Sequence, residues 1–408
     1  MKKVLMMVEN LPVPRDRRVW QEARALAAAG WEVSVICPAT AAYAKGHEII
    51  EGIHVWRHPL PAEGEGVVGY AKEYSAALFW EFVLAWRVLF ARGFDVIHAC
   101  NPPETMFLVG AFFKLFLGKR FVFDHHDLSP ELYVAKFGKK GFGHRLLLIL
   151  EKLTFKTADV SIATNESFRQ IAIMRGHMDP DRVFVVRSGP DLTRLKITPP
   201  DPALRQGAEH LIAYVGVMNS QDGVDYVLDA MKVLVLDQKR SVHAVLMGDG
   251  PMLPHLKQRA VDLGIAHAVT FTGWADDEVM VPWLNAAHVC VSPDPANEFN
   301  DSCTMNKILE YMAMAKPVVL FDLTEGRRSA GEAALYARDN DATDMAAKIA
   351  TLLDDPDLRQ RLGEAGRHRM ERDLSWEYQV PRLLSAYAAL GLEDEETRPR
   401  RRRLVGPL

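Results

Sequence analysis

Short apolar runs alternate with stretches of helical periodicity along almost the whole chain, and no other feature restricts its fold as much. Lys3–Val8 reads as a strand and Val19–Ala29 as a helix that Gly30 stops. Glu32–Cys37, Ile53–His58, Asp95–Ala99, Arg120–Asp124, Asp159–Ala163 and Val183–Val186 are further predicted strands, most of them separated by helical segments. Such alternation specifies a parallel sheet covered by helices on both faces. The pattern breaks at Pro190–Gly207, where Pro199-Pro200-Asp201-Pro202 leaves no apolar period, so this stretch reads as part of an interdomain linker. It then restarts. His210–Val215, Ser241–Met247, Ala268–Thr272, His288–Ser292 and Lys316–Phe321 are predicted strands; Gly223–Val235, Met252–Leu263, Cys303–Met314 and Asp344–Leu353 are predicted helices. The expectation is an α/β chain with two doubly wound domains in series. Ligands of such sheets sit beyond the carboxyl ends of the strands, and with two facing domains the deepest site is the cleft between them.

Composition narrows the partners. With 49 Lys+Arg against 53 Asp+Glu the formal net charge is −4, which excludes a broad nucleic-acid footprint. The total hides a split: residues 1–195 carry 25 basic and 21 acidic side chains (+4), and residues 196–408 carry 24 and 32 (−8). Cys37, Cys100, Cys290 and Cys303 form no CxxC pair and read as reduced thiols of a cytoplasmic protein. Val4 to Val8 is too short an apolar core for a signal peptide. Leu78–Ala91, broken by Glu81 and Arg87, falls short of the ~20 apolar residues of a membrane span. The tail from Glu393 (Glu-Asp-Glu-Glu, then Arg398 and Arg400–Arg403) reads as a solvated flexible segment, with a membrane or partner contact as the other reading.

Chemistry concentrates in Asn300–Met312. Asp301 or Ser302 can cap a helix there, and Ser302, Asn306 and Glu310 then share one stripe with Lys307 beside them. A helix N-terminus suits an anionic phosphate, and Glu310, two turns on, suits both hydroxyls of a ribose; a plain surface helix is the alternative. Asp124-His125-His126-Asp127 follows a strand and belongs at the cleft edge, with structural, metal-binding and catalytic readings all open. Neighbouring side chains on extended backbone point apart and chelate poorly. Gly248-Asp249-Gly250 ends a strand, either as a tight turn or to let backbone approach a ligand. Three DxD triplets, Asp179–Asp181, Asp339–Asp341 and Asp355–Asp357, sit in turn-like settings and argue for chance rather than for a metal.

Several segments, in order, resemble retaining GT-B glycosyltransferases of family 4, with bacterial surface-polysaccharide enzymes the nearest in character. Glu310-Tyr-Met-Ala-Met-Ala-Lys-Pro-Val-Val resembles the family's E-A-M-A-x-G-x-P-V-V, Val245-Leu-Met-Gly-Asp-Gly-Pro its GxGP strand end, and Phe271-Thr-Gly-Trp its F-x-G. Ala286-Ala-His-Val-Cys-Val-Ser-Pro resembles A-D-V-x-V-x-P-S, Arg187-Ser-Gly-Pro-Asp resembles P-N-G-V-D, and Ser375-Trp376-Glu377 the S-W before the last helix. Asp124-His-His-Asp-Leu-Ser-Pro-Glu and Phe321-Asp-Leu-Thr-Glu-Gly-Arg match the surface-polysaccharide subgroup. The resemblance implies two Rossmann-like domains facing a cleft: 1–190 for the acceptor, 191–375 for the nucleotide sugar, a C-terminal helix at 376–392 able to cross back, and the tail at 393–408.

It further implies metal-independent transfer of a hexosyl or N-acetylhexosaminyl group from a UDP- or GDP-linked co-substrate, with no other cofactor. The acceptor would be a glycan, in the first place one on a polyprenyl diphosphate at the inner membrane surface. Glu310 would hold ribose; the helix start with Ser302, Thr304, Asn306 and Lys307 would hold the diphosphate; Gly216, Gly250 and Trp274 would border the nucleotide, with core-edge packing an equal reading of the Trp274 ring. His126, with Asp127, would place the reacting sugar. Two departures stand out. Ser302 replaces the first glutamate of the family's E-x7-E motif, and Gly216–Gly223 lacks the family's Arg and Lys that face the diphosphate. Lys307, Arg327, Arg328 or the Arg15, Arg17, Arg18 loop are the candidate substitutes. Tyr70, Tyr74, Leu78, Phe82, Trp86 and Phe90 form an apolar stripe expected to face either the sheet or a bilayer, and the basic, aromatic Lys136–Arg145 loop is expected to dock on an anionic membrane. A nucleotide-sugar epimerase or hydrolase of the same fold, or a degenerate membrane-bound scaffold, are the rival functions.

Overall fold

The computed structural model describes residues 1–59 and 66–392; the tail at 393–408 and the side chain of Tyr70 lie outside the described residues. Two sheets form. The first contains β1 (Lys3–Met7), β2 (Glu32–Pro38), β3 (His47–Ile50), β4 (Ile53–His58), β5 (Val96–Cys100), β6 (Arg120–His125), β7 (Val160–Ala163) and β8 (Val183–Val185), in the order β3-β4-β2-β1-β5-β6-β7-β8. The second contains β9 (His210–Val215), β10 (Val242–Met247), β11 (Val269–Gly273), β12 (Val289–Ser292), β13 (Val318–Phe321) and β14 (Ala334–Ala337), in the order β11-β10-β9-β12-β13-β14. All pairings are parallel except β3 with β4.

The central strands are buried on both faces, which is why they read as unbroken apolar runs rather than alternating ones. In both sheets the order reverses beside the first strand, at β1/β5 and at β9/β12, and loops at such switch points form the crevices where ligands bind. The last helix, Trp376–Ala388, returns to the first sheet. Leu383, Ala386 and Tyr387 join the core of Val4, Val35 and Val96, and Tyr387 Oη bonds His98 Nδ1 at 2.8 Å.

One predicted element needs correction. The helix expected over Cys303–Met314 is two helices, Glu298–Ser302 and Asn306–Ala313, separated by extended backbone at Cys303 and Met305. Contacts across the chain override local propensity there. Asn165 donates to the Ser302 carbonyl at 2.9 Å and to Thr304 Oγ1 at 3.0 Å, while Phe299 and Cys303 pack into the first domain's core. Ser302 therefore ends one helix rather than starting the stripe of Glu310, and Asp301 accepts from the Thr324 amide instead of capping. Strand β3 was not expected; Glu51 and Gly52, both at positive φ, make the two-residue turn that pairs it with β4.

The apolar stripe of Gly66–Ala91 divides. Tyr74–Ala91 is long and apolar enough by composition to cross a bilayer, yet Ala77, Glu81, Leu84, Ala85 and Val88 are buried against the first sheet, and Phe79 and Phe90 face outward. All four cysteines are unpaired thiols.

Candidate active site

One short loop sends three arginines in three directions. Asp16 caps helix Arg17–Ala28 by accepting the Val19 amide at 3.0 Å. Successive helix residues point about 100° apart, so Arg17 and Arg18 diverge. Arg18 is buried and donates to Asp124 Oδ1 (2.8 Å) and Oδ2 (3.3 Å) and to the Val186 carbonyl (2.8 Å), with Glu22 3.1 Å away. It is a structural anchor and not the free phosphate ligand expected. Arg17 reaches across the cleft to Glu310 Oε1 (3.1 Å) and Asp277 Oδ1 (2.8 Å). Arg15 lies over the exposed Trp274 ring, 4.5 Å from its centroid.

His126 follows β6 and is held from two sides. Its amide donates to Asn101 Oδ1 at 2.7 Å, while Asn101 Nδ2 donates to the Asp127 carbonyl at 2.7 Å and to Glu104 at 3.0 Å. Its Nε2 lies against Asp124 Oδ2 and 3.0 Å from Arg18 Nε. Burial works to raise the Asp124 pKa, but Arg18 and His126 hold that carboxyl well below the ordinary range. Burial, then the Asp124 charge, pushes Glu22 well above it. Burial also raises Asp127, with His126 opposing. His125 points the other way, into Phe123 and Phe168, and burial lowers it to about 3. Of the two adjacent histidines only His126 borders the cleft, as the alternation of an extended backbone requires.

The second domain contributes Asn306–Ala313, whose first amides have no partner within the helix. Asn306 is exposed at its start and Glu310 lies one turn in. Besides Arg17, Glu310 receives Arg194 Nη2 at 2.7 Å, and Asp277 is shared by the same two guanidiniums. Lys307 is not a free cation: it is buried, 2.7 Å from Asp294 Oδ1 and 5.0 Å above the Tyr214 ring. Burial opposes its charge, yet Asp294 keeps its pKa raised. Removing either partner would strand a buried charge, at about 3–5 kcal/mol. Arg327 is a surface group, paired with Asp322 at 2.6 and 2.7 Å and set over the Tyr336 ring. Arg328 bonds Glu325 at 2.6 Å and reaches Ser167 of the first domain at 3.0 Å.

The glycines serve the backbone first. A Cβ on Gly248 would collide with the Gly216 carbonyl, one on Gly250 with the Met218 carbonyl, and one on Gly216 with Tyr214 and Lys307. They let the turns after β9 and β10 pack together at the switch point.

Arg194, Asp277 and Asp294 were not among the expected site residues. Arg194 stands in the aperiodic linker and Asp277 in a helix first turn, where an acidic residue has an ordinary reason to occur.

Residues 16–194 match the model of Glycosyltransferase Family 4, and residues 209–355 that of Glycosyl transferases group 1. The chain is 32% identical over 247 residues to a D-inositol 3-phosphate glycosyltransferase of Thermomonospora curvata, a match covering 55% of each chain, so it spans about half that relative's length. Among solved structures it is similar to the sucrose-phosphate synthase of Thermosynechococcus elongatus (20% identity, TM-score 0.78, 96% and 99% of the chains). It is also similar to Anabaena HepE in complex with UDP and glucose (16% identity, TM-score 0.70, 95% and 100%). The two sheets, the cleft between them and these matches agree: a Glycosyltransferase Family 4 match over residues 16–194 is followed by a Glycosyl transferases group 1 match over residues 209–355, on a GT-B fold.

Proposed function

We propose that this chain is a retaining, metal-independent glycosyltransferase. It moves a hexosyl or N-acetylhexosaminyl group from a UDP- or GDP-linked sugar to a polyprenyl-diphosphate-linked glycan in cell-surface polysaccharide synthesis. The observation that carries the proposal is the pairing of Glu310, one turn into a helix of one domain, with Arg17 of the other domain and Arg194 of the linker. The Arg17 guanidinium is half-exposed while Glu310 is 13% exposed, and an ion pair open to solvent on one side is worth about 1 kcal/mol, so a ribose diol can displace it. Glu310 then accepts the ribose hydroxyls, and Arg17, Arg194 and the helix amides meet the diphosphate.

The bond between the anomeric carbon and the phosphate oxygen breaks, and its electron pair leaves with the nucleoside diphosphate. The acceptor hydroxyl oxygen bonds that carbon on the same face and passes its proton to the departing phosphate oxygen. His126 and Asp127 orient sugar and acceptor without covalent attack. Positioning and charge stabilisation supply most of the rate. HepE, of the same fold, holds UDP and glucose, which makes UDP-glucose the first donor to try.

A panel of UDP- and GDP-sugars with a lipid-diphosphate acceptor tests the proposal. The expected result is product of retained configuration only when acceptor is present. Turnover without acceptor would favour an epimerase or hydrolase, and absence of any nucleotide-sugar binding a scaffold.

A peripheral location at the inner membrane surface is supported by an outward face of the first domain. Helix Phe142–Thr157 keeps Glu151, Thr154 and Phe155 inward, Glu151 on Arg175 at 2.6 Å, and exposes Phe142, Leu146, Ile149 and Leu153. Helix Phe107–Leu117 packs beside it and exposes Leu108, Leu115 and Phe116. Lys136, Lys139 and Lys152 are exposed near this face, whereas Lys140 is drawn to Glu298 of the second domain at 3.1 Å. Flotation with vesicles containing anionic phospholipid is expected to recover the protein. Replacing Phe142 and Ile149 together by serine is expected to cut partitioning on the order of 10²-fold, at about 1.5 kcal/mol per side chain. Equal flotation of both proteins would remove this face from the proposal.

A further inference from the structure

A second group of ionisable side chains lies at the carboxyl ends of β1 and β4. Glu9 follows β1, His58 ends β4, and Glu81 comes from helix Gly66–Ala91. They are 4%, 1% and 0% exposed. His58 Nδ1 is 3.0 Å from the Pro59 carbonyl, which can only accept, so Nδ1 carries the proton and Nε2 presents a lone pair. That lone pair faces Glu9 Oε2 at 3.2 Å, and one ligand atom from each of the three residues lies within 4.8 Å of the others. Neither oxygen of Glu9, neither oxygen of Glu81, nor His58 Nε2 has a hydrogen-bond donor among the described residues. Each buried polar atom left so costs about 1–3 kcal/mol. A cluster of acceptors with no donor calls for a cation.

We propose that Glu9, His58 and Glu81 form a binding site for one divalent transition-metal ion of the Zn²⁺ or Mn²⁺ class, which pins helix Gly66–Ala91 to the first sheet. One imidazole and two carboxylates, with no thiolate, are the donors these ions take. In a tetrahedral site with bonds of about 2.0 Å the ligand atoms stand about 3.3 Å apart, and His58 Nε2 and Glu9 Oε2 already stand at 3.2 Å. The Nδ1–H bond to a main-chain carbonyl is the support that fixes a metal-bound imidazole. Burial, then the charge of Glu9, pushes the Glu81 pKa well above its ordinary value, so the rival occupant is a shared proton. No step of the proposed sugar transfer passes through this site.

The test uses the full chain without a polyhistidine tag. After dialysis against EDTA, calorimetry with Zn²⁺ and with Mn²⁺ is expected to give one equivalent bound per chain for at least one of them. Glu81→Gln, which keeps shape and volume, and His58→Ala are expected to abolish it. EDTA is expected to lower the Tm of the wild type by several degrees and to leave that of Glu81→Gln unmoved. Absence of binding to the wild type, or binding that survives both substitutions, overturns the proposal. A raised Tm in Glu81→Gln without metal would then identify the shared proton.

Discussion

Replacing Glu310 by alanine is expected to weaken nucleotide-sugar binding about 10²-fold, with little loss of stability. A ribose offers two hydroxyl donors to one carboxylate, and hydrogen bonds to a charged group contribute about 1.5–3 kcal/mol each. Losing both gives at least the ~3 kcal/mol that corresponds to that factor. The partners Glu310 has in the resting protein, Arg17 at 3.1 Å and Arg194 at 2.7 Å, keep Asp277 when Glu310 is gone. Both guanidiniums are partly exposed, so the fold loses about 1 kcal/mol or less. Calorimetry with the nucleoside diphosphate and with the nucleoside alone separates two roles. If Glu310 grips ribose, affinity for both falls. If it only restrains the arginines, the double variant Arg17→Ala/Arg194→Ala reproduces the loss and nucleoside binding is unchanged. Full donor affinity in Glu310→Ala would sink the ribose assignment.

The strands of both sheets were legible because a strand buried on two faces writes itself as an apolar run bounded by turns. His210–Val215 and Ile53–His58 lie where expected. What escaped was short or polar: β3, His-Glu-Ile-Ile, is a half-exposed edge, and β14, Ala-Leu-Tyr-Ala, lacks β-branched residues. At the site, residue types were legible and their pairings were not. Lys307 and Arg18 read as cations facing a ligand, but the partners that neutralise them, Asp294 and Asp124, stand 13 and 106 residues away, and nothing local announces them. The broken helix at Cys303–Met305 has the same origin: its cause is Asn165, 137 residues distant from Ser302.

Asp124→Asn is expected to lower kcat about 10²-fold, the loss that a misplacement of about 1 Å produces, while changing stability less than a broken buried ion pair ordinarily does. Asp124 touches His126 Nε2 and Arg18 together, so the amide removes the charge that orients the imidazole. It also strands Arg18, for which about 3–5 kcal/mol is usual. Glu22 offsets part of this. Its carboxyl stands 3.1 Å from Arg18, and its pKa is raised by burial and then by the charge of Asp124; without that charge it ionises more readily and takes over the guanidinium. The pH dependence carries the signature. In the wild type the depressed Asp124 pKa contributes stability that is complete above the unfolded value of about 3.9 and is lost as pH falls through the folded one. The raised Glu22 pKa contributes stability that is complete below about 4.3 and is lost as pH rises through its folded value. Asp124→Asn deletes the first contribution and shrinks the second, so urea midpoints measured from acid to neutral pH should vary less than those of the wild type. Unchanged kcat would show that Asp124 does not orient His126, and the same stability deficit at every pH would show that it does not couple to Glu22.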